Sequence, residues 1–425
     1  MKITFVNHAS FVVTSGDVKL IVDPWIEGTV FNNSWGLLAP TQLRYEDFFD
    51  ITHIWFSHEH PDHFFPPNLN KIPEDARRKI TVLYKQTLDG KIAAYCKKLG
   101  FSVLELATNV WIDINKDFSV LCHPNHDDSA MAMKSKQAEK TILNVNDCVF
   151  GAEQDLVNLA GLTGKIDVLL TQFSYASYAG ETYEERRKQA ENKYGEIEKQ
   201  IKVFRPEYLI PMASYVYFCH EENFYMNDAI NKVGDVFDFV KNKQVLPVVM
   251  FPGDEWIIGQ SYNSEPSLKK WAGCYASIGS KSLVKTNSVA FPALEEQYIV
   301  FRKNLFAKIT YIPLLNVFKV LKPVTIFLTD INVNCVLDLG SKTLKQISGS
   351  NCDIQMTSEV LMFCLKFDYG FNTTAVNGRF HLKMPDAQQK MNVYISLCDA
   401  ANHGRVGYAD LLKGIARRVY RKVRK

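Results

Sequence analysis

Residues 57–63 read SHEHPDH, and this stretch decides how the chain is interpreted. It directly follows a run of β-branched and aromatic residues, which predicts that a strand leads into it. Neutral imidazole and carboxylate groups are the ligands that zinc, iron, nickel and manganese accept. In an extended turn His58 and His60 can both face one ion, whereas Asp62 and His63 reach toward a second. The stretch therefore predicts a metal site at the end of a strand.

Two further strand-like segments lead into residues of the same chemical kind. The apolar segment 118–121 leads into His123, and segment 141–146 ends before the carboxylate of Asp147. A strand followed by a metal-ligating side chain thus occurs three times. Histidines scattered in polar loops would not give this repetition.

The H-x-H-x-D-H spacing resembles that of the metallo-β-lactamase superfamily, whose αββα sandwich carries one or two metal ions at one edge. The resemblance implies an α/β fold that opens with a hairpin and continues into a strand ending in the Asp-Pro of positions 23 and 24. Three blocks look like the metallo-β-lactamase-like part of CMP-N-acetylneuraminate hydroxylase: residues 23–25, 142–148 and 206–217. N-acylphosphatidylethanolamine phospholipase D and ascorbate-6-phosphate lactonase are similar more distantly.

The resemblance implies two divalent metal ions, with zinc first and iron or manganese as alternatives. Two sets of three side chains would hold them: His58, His60 and His123 for the first ion, and Asp62, His63 and a shared Asp147 for the second. Asp62 is also the expected catalytic residue, because it can orient an attacking hydroxide if only one metal is bound.

The last ligand implied by the family, a histidine after a later strand, has no direct counterpart. Where related hydrolases place it, this chain reads PMAS at residues 211–214. His220, a few residues further on, is the natural substitute. Without it, an open coordination position would remain for substrate or O₂.

Three residues are candidates for substrate binding. His8 matches a family position near the site, although a hydrogen-bonded structural histidine is an equal alternative. Tyr175 and Tyr178 follow the predicted strand 167–172 and can line the mouth of the cleft. Core packing explains these two aromatic residues almost as well.

One departure from the sialic acid hydroxylase bears on mechanism. That family carries a Rieske [2Fe–2S] domain ahead of this region, which needs paired Cys and His residues at short spacings. Here the first strand opens at Met1, and none of the nine cysteines has such spacing. We therefore expect that an oxygenase activity would need a separate electron donor.

The composition is that of an ordinary globular protein. The chain has 425 residues and a formal net charge of +3, so it is not expected to bind nucleic acid. It lacks a run of 18 apolar residues and a signal peptide pattern at its start. Nine cysteines without a disulfide pattern indicate a reducing, cytoplasmic location.

We expect four segments: a metal-binding domain (1–260), a connector rich in Ser, Asn, Gly and Pro (261–290), a second domain (291–403) and a basic C-terminal helix (404–425). The second domain should contain strands near residues 324–328, 334–339 and 353–356, and a helix capped by Thr357. It resembles the α+β sterol-carrier-protein-2 fold. That resemblance implies either a pocket for an apolar ligand or a lid and homodimerisation module.

The C-terminal segment is the one strongly biased part of the sequence. An apolar residue recurs every four positions from Leu411 to Val423, and Lys and Arg fill the remaining positions. Such a basic amphipathic helix can adsorb to an anionic membrane surface, or it can dock its apolar stripe on the protein.

Three functions are compatible with the sequence. The first is a metal-dependent hydrolase that cleaves a phosphoester, lactone or amide with a metal-bound hydroxide. The second is a metal-dependent oxygenase that acts on a nucleotide sugar or glycan precursor with a separate electron donor. The third is a non-catalytic protein that binds an apolar ligand. The hydrolase needs only what the chain contains and is our first expectation.

Overall fold

The computed structural model describes residues 1–318, 320–349 and 351–412 and divides into two compact units. Unit 1 contains most of the N-terminal two thirds: Met1–Val30, Trp35–Phe218 and Met226–Ser282. Unit 2 contains two short segments of that region, Phe31–Ser34 and Cys219–Tyr225, together with the chain from Leu283 onward.

The described part of unit 1 holds two seven-stranded sheets and one three-stranded sheet. Its strands are β1 (Lys2–Asn7), β2 (Ser10–Ser15), β3 (Val18–Val22), β4 (Thr29–Val30), β5 (Trp35–Leu37), β6 (His53–Trp55), β7 (Thr81–Lys85), β8 (Ser102–Leu106), β9 (Trp111–Asp113), β10 (Phe118–Asn125), β11 (Asp128–Ser135), β12 (Lys140–Asn146), β13 (Val168–Gln172), β14 (Tyr208–Met212), β15 (Val216–Phe218), β16 (Leu246–Pro247) and β17 (Glu255–Ile257). The first sheet has the order β17-β1-β2-β3-β6-β7-β8, the second β16-β14-β13-β12-β11-β10-β9, and the small one β15-β5-β4.

Helices cover the sheets of unit 1, which explains why central strands such as β13 are buried along their whole length. They are α1 (Pro66–Leu69), α2 (Glu74–Arg77), α3 (Lys91–Lys98), α4 (Glu153–Thr163), α5 (Tyr183–Phe204), α6 (Val233–Lys241) and α7 (Glu265–Ala276), with 3-10 turns at Tyr45–Asp50 and Ile278–Ser280. The long helix α5 begins with a capping box, in which Thr182 and Glu185 each accept a hydrogen bond from the other's backbone N–H.

Strand direction brings several strand ends to the same edge of each sheet. In the first sheet β3, β6 and β7 are parallel, and β1 runs the same way because two antiparallel pairings separate it from β3. In the second sheet β12, β13 and β14 are parallel. Side chains that follow these strands can therefore meet at one edge, as in other α/β proteins.

The predicted connector at residues 261–290 is wrong over most of its length. Residues 265–276 form helix α7, and the compact unit extends to Ser282. Trp271 of this helix is fully buried and stacks on Tyr215, with ring centroids 4.1 Å apart. The polar residues that suggested a connector lie at the helix start, where Ser264 precedes it and Pro266 occupies its first turn.

Unit 2 contains a five-stranded sheet of order β20-β19-β18-β21-β22 in its described residues. Its elements are α8 (Phe291–Lys308), α9 (Ile312–Val317), β18 (Val324–Leu328), β19 (Val333–Leu337), β20 (Lys345–Gln346), β21 (Ile354–Met356), α10 (Ser358–Lys366), α11 (Gly370–Asn377), β22 (His381–Leu382) and α12 (Ala387–Asn402). The three predicted strands are confirmed within a residue or two, and Thr357 caps α10 as predicted. The sterol-carrier-like identity of this domain stays a prediction.

The predicted basic helix lies mostly outside the described residues, which end at Leu412. Leu411 is helical, whereas residues 413–425, which carry the cations and the rest of the apolar stripe, are not described. None of the helices within the described ranges is long and apolar enough to cross a membrane.

Candidate metal centre

Three chain segments bring histidine and carboxylate side chains together in unit 1. His58, Asp62 and His63 lie in the turn that follows β6, Asp147 directly follows β12, and His8 directly follows β1. The strand-then-ligand pattern seen in the sequence is thus realised at the strand ends. These side chains form two clusters that could each hold a metal ion.

The first cluster consists of His58, His63 and Asp147. The Nε2 atom of His63 lies 3.6 Å from Oδ2 of Asp147, and the Nε2 atom of His58 lies 3.9 Å from the same oxygen. Both histidines are buried, and the Asp147 side chain is 20% exposed. This cluster therefore keeps one side open to solvent.

The second cluster consists of His8, Asp62 and His63. The Oδ2 atom of Asp62 lies 3.3 Å from Nε2 of His8 and 3.3 Å from Nε2 of His63. All three side chains are buried, so this cluster is closed to solvent. His63 belongs to both clusters.

Asp23 connects three side chains behind the metal-facing nitrogen of His63. Its carboxylate is fully buried, and its Oδ2 atom lies 2.9 Å from Nδ1 of His63. The hydroxyl of Ser57 and the side-chain amide of Asn146 both donate to the same oxygen, at 2.7 Å. A carboxylate bound to Nδ1 of an imidazole fixes the ring and leaves Nε2 for a metal.

Asp128 orients the ring of His58 in the same way that Asp23 orients that of His63. Its Oδ1 atom lies 3.0 Å from Nδ1 of His58 and accepts a hydrogen bond from the backbone N–H of Ser129. The buried amino group of Lys85 donates to the backbone carbonyls of Asp127 and Asp128, which fixes the hairpin between β10 and β11. His58 is thereby oriented with Nε2 toward Asp147.

The pKa shifts of these groups show how strongly they interact. Burial disfavours a charged imidazole at His63, but the carboxylates around it, first Asp62 and then Asp147, raise its pKa well above 6.5. Burial likewise opposes charge on His58, and Asp128 outweighs it and raises the pKa of His58. The pKa of Asp62 is lowered, because the effect of His63 exceeds that of burial. These interactions favour protons on His58 and His63, whereas burial lowers the pKa of His8; a divalent cation would compete with the protons on His58 and His63.

Five buried polar atoms in these clusters have no hydrogen-bond partner within the described parts of the chain. They are Nδ1 of His8, Nε2 of His58, Nε2 of His63, Oδ1 of Asp62 and Oδ1 of Asp147. Leaving such atoms buried and unpaired is costly, whereas a cation can pair with a nitrogen or oxygen atom that faces it. Imidazole nitrogen and carboxylate oxygen are donors that suit zinc, iron and manganese. The residues therefore fit the metal that the sequence predicts.

Two predicted ligands of the first ion lie outside both clusters. His60 is exposed, and its ring stands edge-on to His58 with centroids 4.5 Å apart. His123 lies within β10, which continues to Asn125, and its Nδ1 atom is 2.7 Å from Oδ1 of Asn109. The described structure does not bring the predicted trio of His58, His60 and His123 together.

The remaining predicted residues have other surroundings. His220 lies in unit 2, where Nδ1 is 3.3 Å from the Glu222 carboxylate and Nε2 is 4.0 Å from that of Glu359. The two clusters consist of residues of unit 1, and the assignment of His220 as the last ligand stays a prediction. Tyr175 is buried and donates its hydroxyl to the carbonyl of Met226, as a core residue would. Tyr178 donates to Glu181, 2.9 Å away.

Two residues that support the site were not assigned from the sequence. Asp128 begins β11, and Asn146 ends β12. The available signal for Asn146 is its position directly before Asp147 at a strand end. No local pattern singles out Asp128, because its role depends on a long-range contact with His58.

Comparisons with known proteins find one similar curated protein family and several similar solved structures. The cytidine monophosphate-N-acetylneuraminic acid hydroxylase of Danio rerio is 22% identical over 251 residues, which cover 54% of this chain and 41% of the relative. The chain thus spans about two fifths of the length of that relative. One similar solved structure is a possible metal-dependent hydrolase from Veillonella parvula, with 15% identity and a TM-score of 0.46 over 60% of this chain and 98% of that one. Another is CmlA, a diiron beta-hydroxylase from Streptomyces venezuelae, with 15% identity and a TM-score of 0.43 over 60% of this chain and 53% of that one.

The family comparison covers six of the seven strands of the first sheet and four of the seven strands of the second. Residues 2–147 match the model of the beta-lactamase superfamily domain. The matched segment contains His8, the SHEHPDH turn and Asp147, and hence both metal clusters. Residues 2–147 are therefore similar to a beta-lactamase superfamily domain, which supports the predicted mixed α/β, metallo-β-lactamase-like fold for this part of the chain.

Proposed function

We propose that the protein is a metal-dependent hydrolase. The observation that carries this proposal is the pair of clusters around His63, in which imidazole and carboxylate side chains converge and several of their buried atoms have no hydrogen-bond partner among the described residues. A divalent ion bound there would lower the pKa of a bound water and polarise a phosphoryl or carbonyl oxygen. Phosphoesters, lactones and amides are the substrate classes that this chemistry serves.

The chain's own residues would position the reactants. The Oδ1 atom of Asp62 is buried and has no partner among the described residues, so it can accept a hydrogen bond from an attacking water. Its lowered pKa keeps it a carboxylate and hence an acceptor. Asp23 and Asp128 hold the imidazoles of His63 and His58 from behind, so that these rings need little reorganisation when substrate binds.

A metal-dependent hydroxylase is the second candidate, and the sequence similarity to the sialic acid hydroxylase of Danio rerio favours it. The same clusters would hold iron, since His and carboxylate ligands suit that metal as well. This activity would need electrons from a separate donor protein and a nucleotide sugar or glycan precursor as substrate.

Metal content distinguishes the two candidates. The full chain would be purified anaerobically from medium that contains both iron and zinc, and its bound metals counted. Zinc or manganese, together with turnover of phosphodiester or lactone probes, would support the hydrolase. Iron with a redox-sensitive absorption band would support the hydroxylase instead, and a chain without metal would contradict both.

Two variants make this experiment specific. His58→Ala removes a cluster residue and should lower the metal content. His53→Ala is the matched control, because His53 lies within β6 and its Nδ1 atom bonds to Thr52 instead of facing either cluster. Equal metal loss in both variants would point to unfolding and would not support the assigned site.

For unit 2 we infer a structural or homodimerising role in preference to carriage of an apolar ligand. A cavity between α8, α10 and α12 is lined by apolar residues that include Val300, Phe301 and Leu365, and it measures about 110 Å³. Pockets for small molecules usually measure about 300–1,000 Å³. A sterol or fatty acid that co-purifies in stoichiometric amount would contradict this inference.

A further inference from the structure

We propose that His8 is a protein ligand of the metal ion held by Asp62 and His63. The inference deepens the proposed function and rests on its metal dependence. It assigns to His8 a role that the sequence left between substrate contact and structural support. It also explains how the closed cluster can be complete without His220.

The distances within the cluster are those of ligands around a common ion. An ion with tetrahedral geometry and bonds of about 2.0–2.1 Å keeps its ligand atoms about 3.3–3.4 Å apart. The Oδ2 atom of Asp62 lies 3.3 Å from Nε2 of His8 and 3.3 Å from Nε2 of His63. Both contacts involve the same carboxylate oxygen, so Nε2 of His8 and Nε2 of His63 face one point beside Asp62.

The backbone of His8 is held in an unusual conformation that aims its ring at the cluster. Its φ angle is +37°, which is rare for a residue with a side chain and occurs preferentially at functional sites. Asn7 accepts a hydrogen bond from its backbone N–H at 2.9 Å. The ring is buried and stands edge-on to Trp25, with centroids 5.7 Å apart. Because this backbone conformation is strained, we expect a favourable interaction of the His8 side chain to compensate for the strain.

The backbone of His8 also contacts the segment that follows β14. The carbonyl of His8 accepts a hydrogen bond from the N–H of Ala213 at 2.8 Å. Ala213 is the residue after the strand and has no side chain that could bind a metal. His8 thus enters the cluster from β1 beside the strand end from which the sequence resemblance implied a last histidine.

An alternative role for His8 is to donate a hydrogen bond to Asp62 without touching a metal. Substitution by glutamine separates the two roles, because the amide nitrogen of Gln can replace Nε2 as a donor but binds zinc poorly. His8→Gln fills nearly the same space as the native ring. His8→Ala removes both capabilities.

The test measures zinc bound per chain, and zinc affinity by titration, for wild type, His8→Gln and His8→Ala. His126→Gln is the matched control, since His126 is exposed at the hairpin between β10 and β11. Circular dichroism would confirm that each variant is folded. If His8 is a ligand, both His8 variants should lose one ion or bind it more than about 100-fold more weakly, beyond the 10–100-fold effect of groups that only orient a ligand.

A His8→Gln variant that binds zinc within about tenfold of wild type would overturn the proposal and assign His8 to hydrogen bonding. If His8→Ala does not fold, His8→Gln alone decides. Failure of the proposed hydrolase would look different: metal-loaded wild type would show no turnover, while the dependence of zinc binding on His8 would remain.

Discussion

Replacing Arg379 by methionine should destabilise unit 2 by about 3–5 kcal/mol. The guanidinium is fully buried and forms ion pairs with Glu222 and with Glu359, the second at 2.7 Å. Its remaining amino group donates to the backbone carbonyl of Asn32 at 2.8 Å. Methionine would fill much of the space but would leave two carboxylates without their cation. The penalty comes from this uncompensated buried charge more than from lost packing.

A neighbouring ion pair supplies the matched control. Glu221 pairs with Lys285 at 2.8 Å, but the lysine side chain is 71% exposed. Exposed pairs contribute about 0–1 kcal/mol, because water screens them and replaces the lost partner. Lys285→Met should therefore leave the stability of unit 2 nearly unchanged. The two substitutions affect carboxylates that are adjacent in sequence and differ mainly in burial.

The assay must report on unit 2 specifically. All six tryptophans lie in unit 1, so their fluorescence would follow the other unit. Helix α10 carries Glu359, which loses its ion pair with Arg379 in the variant. Amide hydrogen exchange of peptides from α10 therefore measures the free energy of local unfolding at this position. Burial already raises the pKa of Glu222, so the loss in Arg379→Met should shrink as the pH is lowered and the carboxyl group is protonated. If Arg379→Met lowered the free energy of unfolding by less than about 1 kcal/mol, as expected for Lys285→Met, the reasoning would be refuted.

The remaining predictions concern the metal centre. Asp23→Asn and Asp128→Asn should each weaken zinc binding about 10–100-fold while the fold persists, because each substitution removes the carboxylate that orients an imidazole. Zinc titration measures the affinity, and circular dichroism checks that each variant is folded. An unchanged zinc affinity would contradict the assigned roles. Zinc affinity should also fall as the pH is lowered, because the raised pKa values of His58 and His63 make protons compete with the ion. In the metal-free protein, the raised pKa of His63 stabilises the fold at pH values below about 6.5, and this contribution is lost as the pH rises through the raised value. Calorimetry in buffers of different ionisation enthalpy measures proton release directly, and binding without proton release would contradict the second prediction.

The strand-then-ligand pattern was predictable because its signals are local. The turn at residues 57–63 directly follows β6, and Asp147 directly follows β12, as that pattern predicted; that they meet at one edge was implied by the family resemblance. The opening hairpin, the helix capped by Thr357 and the strands of unit 2 also depend on short-range patterns. These elements agree with the structure within a few residues.

The composition of each ligand cluster could not be predicted in the same way. His8 and Asp62 are 54 positions apart, and the contact of His58 with Asp128 spans 70 positions. The first pair depends on the order of strands within one sheet and the second on how two sheets pack, and a single sequence specifies neither. His123 illustrates the same limit: it has the expected residue type in the expected strand, but β10 continues past it and its Nδ1 atom lies 2.7 Å from Oδ1 of Asn109.

The shared position of His63 limits how two ions can bind. One imidazole nitrogen has one lone pair, so Nε2 of His63 can bind one ion at a time, whereas each carboxylate can use two oxygens. If His63 serves the closed cluster with His8 and Asp62, the open cluster retains His58 and Asp147 and draws further ligands from water or substrate. Open coordination is the property of catalytic metal sites, and closed coordination is that of structural ones. The two clusters should therefore differ in affinity, with the tighter ion held at Asp62 and the exchangeable ion beside Asp147, on the side that solvent reaches.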